Sequence, residues 1–215
     1  PGDASGATHT GDVQVVERRF EKNVMTPAGA ACAARVVNSG ESFTIEPGKP
    51  VLIVAAVSSR FDGSTDLTAG ADDFAASAVQ RVSSFRVTAL TAVLQAHEAW
   101  WRGFWNNSFV EIPDKVLEQR YYLSHYVMAS ASRVYDFPPG LFGWVTTDNP
   151  AWNGDYHMNY NHVAPFYGLY VANHIEQADP CHGPILANAD QARELCRKTL
   201  GIEGIYQYVA IGPKG

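Results

Sequence analysis

Four polar residues occupy every second position of the stretch WNGDYHMNYN, residues 152–161. They are Asp155, His157, Asn159 and Asn161. Because side chains alternate between two faces of an extended backbone, a strand here would place all four on one face. Such a face is either a solvated edge or the lining of a polar pocket. In a pocket, two amides beside a carboxylate could hold one water molecule for attack, since an amide both donates and accepts hydrogen bonds.

The two asparagines allow one catalytic and one structural interpretation. An inverting glycosidase activates a water on one face of a sugar ring while an acid protonates the leaving group from the other side. Asn159 and Asn161 could orient that water. Alternatively, Asn159 caps the start of a helix, and spacing alone favours the cap. His157 could bind a substrate hydroxyl or be an ordinary core histidine.

Aromatic residues make up 12% of the chain, and all five tryptophans lie between Trp100 and Trp152. Aromatic rings among Asn, Asp and His are typical of sugar sites, because ring faces stack on the apolar faces of pyranoses. Aromatic rings in such company are equally typical of an aromatic core, and the density of aromatic residues alone favours the core interpretation.

The composition argues against several other classes of protein. The chain has 215 residues, is 46% hydrophobic and carries a net charge of -6, which predicts a soluble globular protein. Without a basic cluster, nucleic acid is not an expected partner. No apolar run reaches the roughly 18 residues of a membrane span. The cysteines, Cys32, Cys181 and Cys196, have unrelated spacings and predict neither a disulfide framework nor a zinc site, and we expect no metal and no cofactor.

The elements that would position the polar residues change period along the chain. Up to about Ser59, short apolar runs separated by Gly and Pro predict strands of a β-sandwich. From Phe74 onward, apolar residues recur at helical spacing. Helices are predicted over residues 74–103, 113–135, 159–178 and 185–200. The helix over 113–135 has apolar residues on nearly all sides, which predicts deep burial.

The stretch from Leu141 to Pro180 resembles glycoside hydrolase family 95. Its α-fucosidase-like enzymes carry a Gly-x-Trp segment, an Asn-Pro-x-Trp segment and an Asn-x-Asn pair before an aromatic-rich helix. Here these are Gly143-Trp144, Asn149-Pro150-Ala151-Trp152 and Asn159-Tyr160-Asn161. The resemblance extends loosely over residues 43–215.

The resemblance implies an α+β fold with three parts in order. They are an N-terminal β-sandwich portion (1–70), a linker helix region (71–112) and the opening helices of an (α/α)6 barrel (113–215). Both ends are interpreted as cuts in a longer polypeptide, and exposed barrel-helix surface is expected to favour association. A secreted or periplasmic location is implied as well, although the chain shows no signal peptide.

The resemblance also implies an activity, inverting glycoside hydrolysis with Asn159 and Asn161 holding the attacking water. The general acid is a Glu expected beyond Gly215, so this chain is expected to lack it. The segment HVAPFYGLY departs from the Met-Asn-Tyr-Trp that usually follows the pair, so the substrate need not be fucose. The candidate substrate contacts are Trp144, Asp148, Asn149, Trp152, Asp155 and His157.

Two alternatives remain open from the sequence. The chain could be a non-catalytic carbohydrate-binding or interaction module, or a family member whose catalytic site is lost.

Overall fold

The computed structural model describes a large part of the chain, in two compact units, Pro1–Ala96 and His97–Gly215. The described residues are 4–20, 28–37, 42–60, 73–135, 137–141, 143 and 150–212. No helix within those ranges is long and apolar enough to cross a membrane.

In the first unit, the described residues form an antiparallel sheet of four strands in chain order. The strands are β1 (Ala4–Thr10), β2 (Val13–Phe20), β3 (Ala28–Val36) and β4 (Ile53–Ser59). Alternate residues of β2 and β3 are buried, because helix α1 (Phe74–Ser84) packs against that face. Gly29 makes this packing possible, since a Cβ there would lie 2.5 Å from the Phe74 ring.

The first strand was not predicted from the sequence. Its sequence ASGATHT has no apolar alternation, and it forms because its backbone pairs with β2 along its whole length. Phe43 and Ile45 lie in the range predicted to form strands, but their backbone is non-regular and both side chains are exposed.

The long helix predicted over residues 74–103 is two helices. The first ends at Ser84, and α2 (Leu90–Asn107) follows a 3-10 turn. The break lies at Phe85 and Arg86, which are extended. The guanidinium of Arg35 donates to the carbonyls of Val82 and Phe85 at 3.2 and 3.1 Å, which satisfies the open end of α1.

The described residues of the second unit form five further helices and a short two-stranded sheet. They are α3 (Lys115–Ala131), α4 (Tyr160–Val171), α5 (Ile175–Ala178), α6 (Gly183–Ala187) and α7 (Ala189–Leu200), with β5 (Tyr156–His157) paired to β6 (Ala210–Ile211). The predicted helix over 159–178 is divided near Asn173, whose φ is 57°, and the one over 185–200 is divided at Asn188. The α+β class is confirmed.

The core of the second unit joins α3, α4 and the segment after α5. Met128, Phe166, Leu169, Ala178 and Cys181 pack together there. Cys181 and Cys196 are both buried and free.

The prediction that α3 is deeply buried is wrong. Only His125, Met128 and Ala129 of this helix are buried. Four large apolar side chains of this helix are exposed, and we call them together the α3 face: Val116, Leu117, Leu123 and Tyr126.

Candidate functional site

Residues 150–162 combine three local structures within one short segment. A 3-10 turn (Ala151–Gly154) leads into β5, and α4 begins at Tyr160. The strand therefore ends at His157, and a turn at Met158 and Asn159 follows it. The single polar face expected from the spacing of two does not extend to Asn159 and Asn161, because the chain turns before them.

The segment is fixed to the chain before it. Tyr156 is buried, and its hydroxyl donates to the carbonyl of Pro138 at 2.9 Å. Burial raises the pKa of Tyr156 above its ordinary value, so the hydroxyl keeps its proton. The N–H of Leu141 donates to the carbonyl of Asp155 at 2.8 Å. At Gly140 any side chain would collide with the carbonyl of Gly154, so this approach requires glycine.

Three of the predicted substrate contacts touch one another. The imidazole Nδ1 of His157 lies 3.4 Å from the Oδ2 of Asp155. The ring of Trp152 stacks on the imidazole with centroids 5.4 Å apart and planes at 29°. Trp152 is 58% exposed, and its φ of 49° is a left-handed value that side chains rarely adopt. The three side chains therefore form one cluster, which we call the Trp152 cluster.

The two asparagines lie at the start of α4. The Oδ1 of Asn159 accepts a hydrogen bond from the backbone N–H of Asn161 at 3.0 Å, so Asn159 is the N-cap of this helix. The Asn159 residue is exposed and Asn161 is partly exposed. Both amides therefore follow the Trp152 cluster in the chain, at and just after the backbone turn of Met158 and Asn159.

Three predicted contacts, Trp144, Asp148 and Asn149, lie outside the described residues.

Sequence reasoning passed over His162, which fixes the start of α4. His162 is buried, and its Nε2 bonds to the carbonyl of Cys181 at 2.8 Å. Burial lowers the pKa of His162, so the neutral ring that donates through Nε2 is favoured. The sequence contained a signal for this burial, because His162 and Phe166 are four residues apart and therefore lie on one face of the helix.

A second polar cluster lies at the far end of α4. The hydroxyl of Tyr170 is 2.9 Å from the Nε2 of His182 and 3.6 Å from the sulfur of Cys181. Burial raises the pKa of the Cys181 thiol, which makes it a poor nucleophile. Within the described ranges, no group of three His, Cys, Asp or Glu side chains is arranged to hold a metal ion.

Comparison with known proteins gives a match for the second unit. Residues 101–211 match the glycosyl hydrolase family 95 catalytic domain, and this range is more than half of the chain. No curated protein and no solved structure was found to match. The matched range contains α3 to α7, the Trp152 cluster and both asparagines. The chain therefore belongs to glycosyl hydrolase family 95.

Proposed function

We propose that this chain forms part of an inverting glycoside hydrolase in which Asn159 and Asn161 position the attacking water. Glycoside hydrolase activity at the level of the family follows from the match over residues 101–211, and this is the observation that carries the proposal. The inverting course and the roles of single residues are our inference. The helices after residue 113 are proposed to open an (α/α)6 barrel.

The hydrogen bonds of the two asparagines leave room for this role. The cap at the start of α4 uses only the Oδ1 of Asn159, so its Nδ2 hydrogens can still donate to a water lone pair. The carboxamide of Asn161 can accept a hydrogen bond from an O–H of the same water through Oδ1, and a separate general-base carboxylate must take the water's proton as it attacks. A water held by one donor and one acceptor presents its remaining lone pair in a fixed direction, which is what attack on an anomeric carbon requires.

The sugar is proposed to lie against the Trp152 cluster. Trp152 offers an exposed aromatic ring, and His157 offers a ring nitrogen for a hydroxyl group. The resemblance adds Trp144, Asp148 and Asn149 as further proposed contacts. A secreted or periplasmic location agrees with an enzyme that acts on oligo- or polysaccharides.

The general acid is proposed to lie outside residues 150–162. The carboxylate of Asp155 is the acidic group of that segment, and it is turned toward His157. An acid in an inverting enzyme must reach the opposite side of the sugar ring from the water, at roughly 6.5–9.5 Å from the base.

A second candidate function is supported by one contact. Because Asn159 caps α4, its amide has a structural role that requires no catalysis. The chain would then be a carbohydrate-binding module in which the Trp152 cluster alone contacts sugar.

One experiment separates the two functions. The protein carrying this chain is incubated with a panel of 4-nitrophenyl glycosides, including the α-L-fucoside, and the first-formed anomer is read by ¹H NMR. Hydrolysis with inversion of the anomeric configuration supports the proposal, and hydrolysis with retention contradicts the water-positioning role. Binding of a glycoside without release of nitrophenol identifies the module.

A further inference from the structure

The carboxylate of Asp155 is enclosed although it lies in the proposed sugar site. Its side chain is 18% exposed, and its Oδ1 atom is buried without a hydrogen-bond partner among the described residues. Its Oδ2 atom lies 3.4 Å from the Nδ1 of His157. A sugar hydroxyl therefore cannot reach Oδ1, and Oδ2 is already turned toward the imidazole.

A hydrogen bond across this contact specifies which nitrogen of His157 carries the proton. A carboxylate only accepts hydrogen bonds, so the contact with Oδ2 requires a hydrogen on Nδ1. In a neutral imidazole the other nitrogen, Nε2, is then an acceptor. Free histidine prefers the opposite arrangement, with the hydrogen on Nε2, so a hydrogen bond to the carboxylate has to reverse an intrinsic preference.

The ring plane is held by a second contact. Trp152 stacks on the imidazole, and Asp155 bonds to one edge of it. These two restraints fix both the plane and the rotation of the ring. The His157 side chain remains 17% exposed, and Nε2 lies on the other side of the ring from Nδ1.

We propose that Asp155 is a positioning residue that holds His157 in the Nδ1–H tautomer, so that its Nε2 accepts a hydrogen bond from a sugar hydroxyl. The part that concerns sugar rests on the proposed function, whereas the tautomer does not. The site then selects a ligand that offers a hydroxyl donor at this point. Asp155 acts through His157 and does not touch the sugar.

The tautomer is measured directly by two-bond ¹H–¹⁵N NMR of the ring nitrogens in uniformly ¹⁵N-labelled protein, at a pH where His157 is neutral. We expect the wild-type ring to be mostly Nδ1–H. In Asp155→Ala we expect mostly Nε2–H. The matched control is Asp190→Ala, which removes a carboxylate that is 97% exposed and paired with Arg193 on α7, and it should leave the wild-type tautomer in place.

Asp155→Asn supplies a second variant of the same shape. Its amide is a weaker acceptor than a carboxylate and can instead donate to Nδ1, so the Nε2–H population should rise above that of the wild type. A wild-type ring that is mostly Nε2–H overturns the proposal even if the Asp155→Ala protein does not fold. So does an Asp155→Ala protein that folds and stays Nδ1–H.

Titration with L-fucose, and with the other monosaccharides whose 4-nitrophenyl glycosides form the panel, then tests the link to sugar. A bound sugar that donates to Nε2 should move the ¹⁵N resonance of that atom in the wild type. A ring that is Nδ1–H in a protein that neither binds nor cleaves any sugar upholds the effect of Asp155 on His157 and overturns the proposed function. Binding that leaves the Nε2 resonance unmoved overturns the acceptor role.

Discussion

Asn159 and Asn161 are joined directly, because the side-chain Oδ1 of the first accepts a hydrogen bond from the backbone N–H of the second at 3.0 Å. The structural and catalytic interpretations of this pair therefore do not exclude each other. One amide oxygen caps α4, while the rest of the two carboxamides can bind water. Substitutions can distinguish the capping role from the water-binding role, because a cap requires only an oxygen acceptor at residue 159.

The first prediction uses two substitutions at Asn159. Asp caps a helix as well as Asn does, whereas Ala does not, so Asn159→Ala should lower the free energy of unfolding by about 1 kcal/mol and Asn159→Asp should change it little. If Asn159 also holds the attacking water, both variants should lose kcat. Urea unfolding and steady-state kinetics on the same samples provide the measurement. Normal kcat in the Asp variant, with a stability loss confined to Ala, would leave Asn159 a cap alone.

The second prediction concerns Asn161, whose side chain is not the cap. Asn161→Ala should lower kcat on the order of 10² to 10³, the effect of losing one positioned hydrogen-bonding group, with little change in KM. Because both amides act on one water, the Asn159→Asp and Asn161→Ala effects on kcat should be less than additive in the double variant. Full additivity would show that the amides act on different groups.

The sequence predicted the helices of the second unit better than it predicted the backbone of the site. Helix ends have local signals, and Gly201 ends α7 in the left-handed conformation expected of a C-terminal cap. The strand β5 has no such signal. Tyr156 and His157 are extended because residues 210–211, far along the chain, pair with them.

The candidate residues were predictable as a set, but their contacts were not. Spacing of two placed Asp155 and His157 on one face, and their side chains do meet. The same spacing could not show that the chain turns before Asn159. The stacking of Trp152 on His157 depends on a left-handed backbone at Trp152, which residue type disfavours and only the folded environment can impose.

The third prediction concerns Trp152. Losing its ring should raise KM about fivefold to tenfold, on the order of 1 kcal/mol for a ring-face contact, and leave kcat unchanged, because stacking is the same in ground state and transition state. Trp152→Ala and Trp152→Gly should be equal in KM, whereas the Gly variant should be the more stable since φ is positive there. Trp152→Phe keeps an aromatic face and is the control. Unchanged KM in both small variants would make the ring structural.

The fourth prediction concerns pH and His162. Burial lowers the pKa of this histidine in the folded protein, so below its unfolded value of about 6.5 the unfolded chain binds a proton that the folded protein does not. Stability from this source is fully present above that pH, and is lost as pH falls toward the folded pKa. His162→Gln keeps a donor for the carbonyl of Cys181 without titrating. The free energies of unfolding at pH 7 and pH 5 should differ less in the variant than in the wild type. If the difference is as large in the variant, His162 does not contribute to the pH dependence of stability.

The last prediction concerns the α3 face. Val116, Leu117, Leu123 and Tyr126 are between 48% and 65% exposed, and exposed apolar side chains on one helix offer a surface for hydrophobic ligands or a partner. We expect the protein to bind the dye ANS while still folded, and to sediment faster as its concentration rises. Leu123→Gln and Tyr126→Gln should together reduce both effects. The control is Val171→Gln on α4, which removes a single apolar side chain that is 90% exposed. If the double variant and the control bind dye and sediment like the wild type, the α3 face is not the surface responsible.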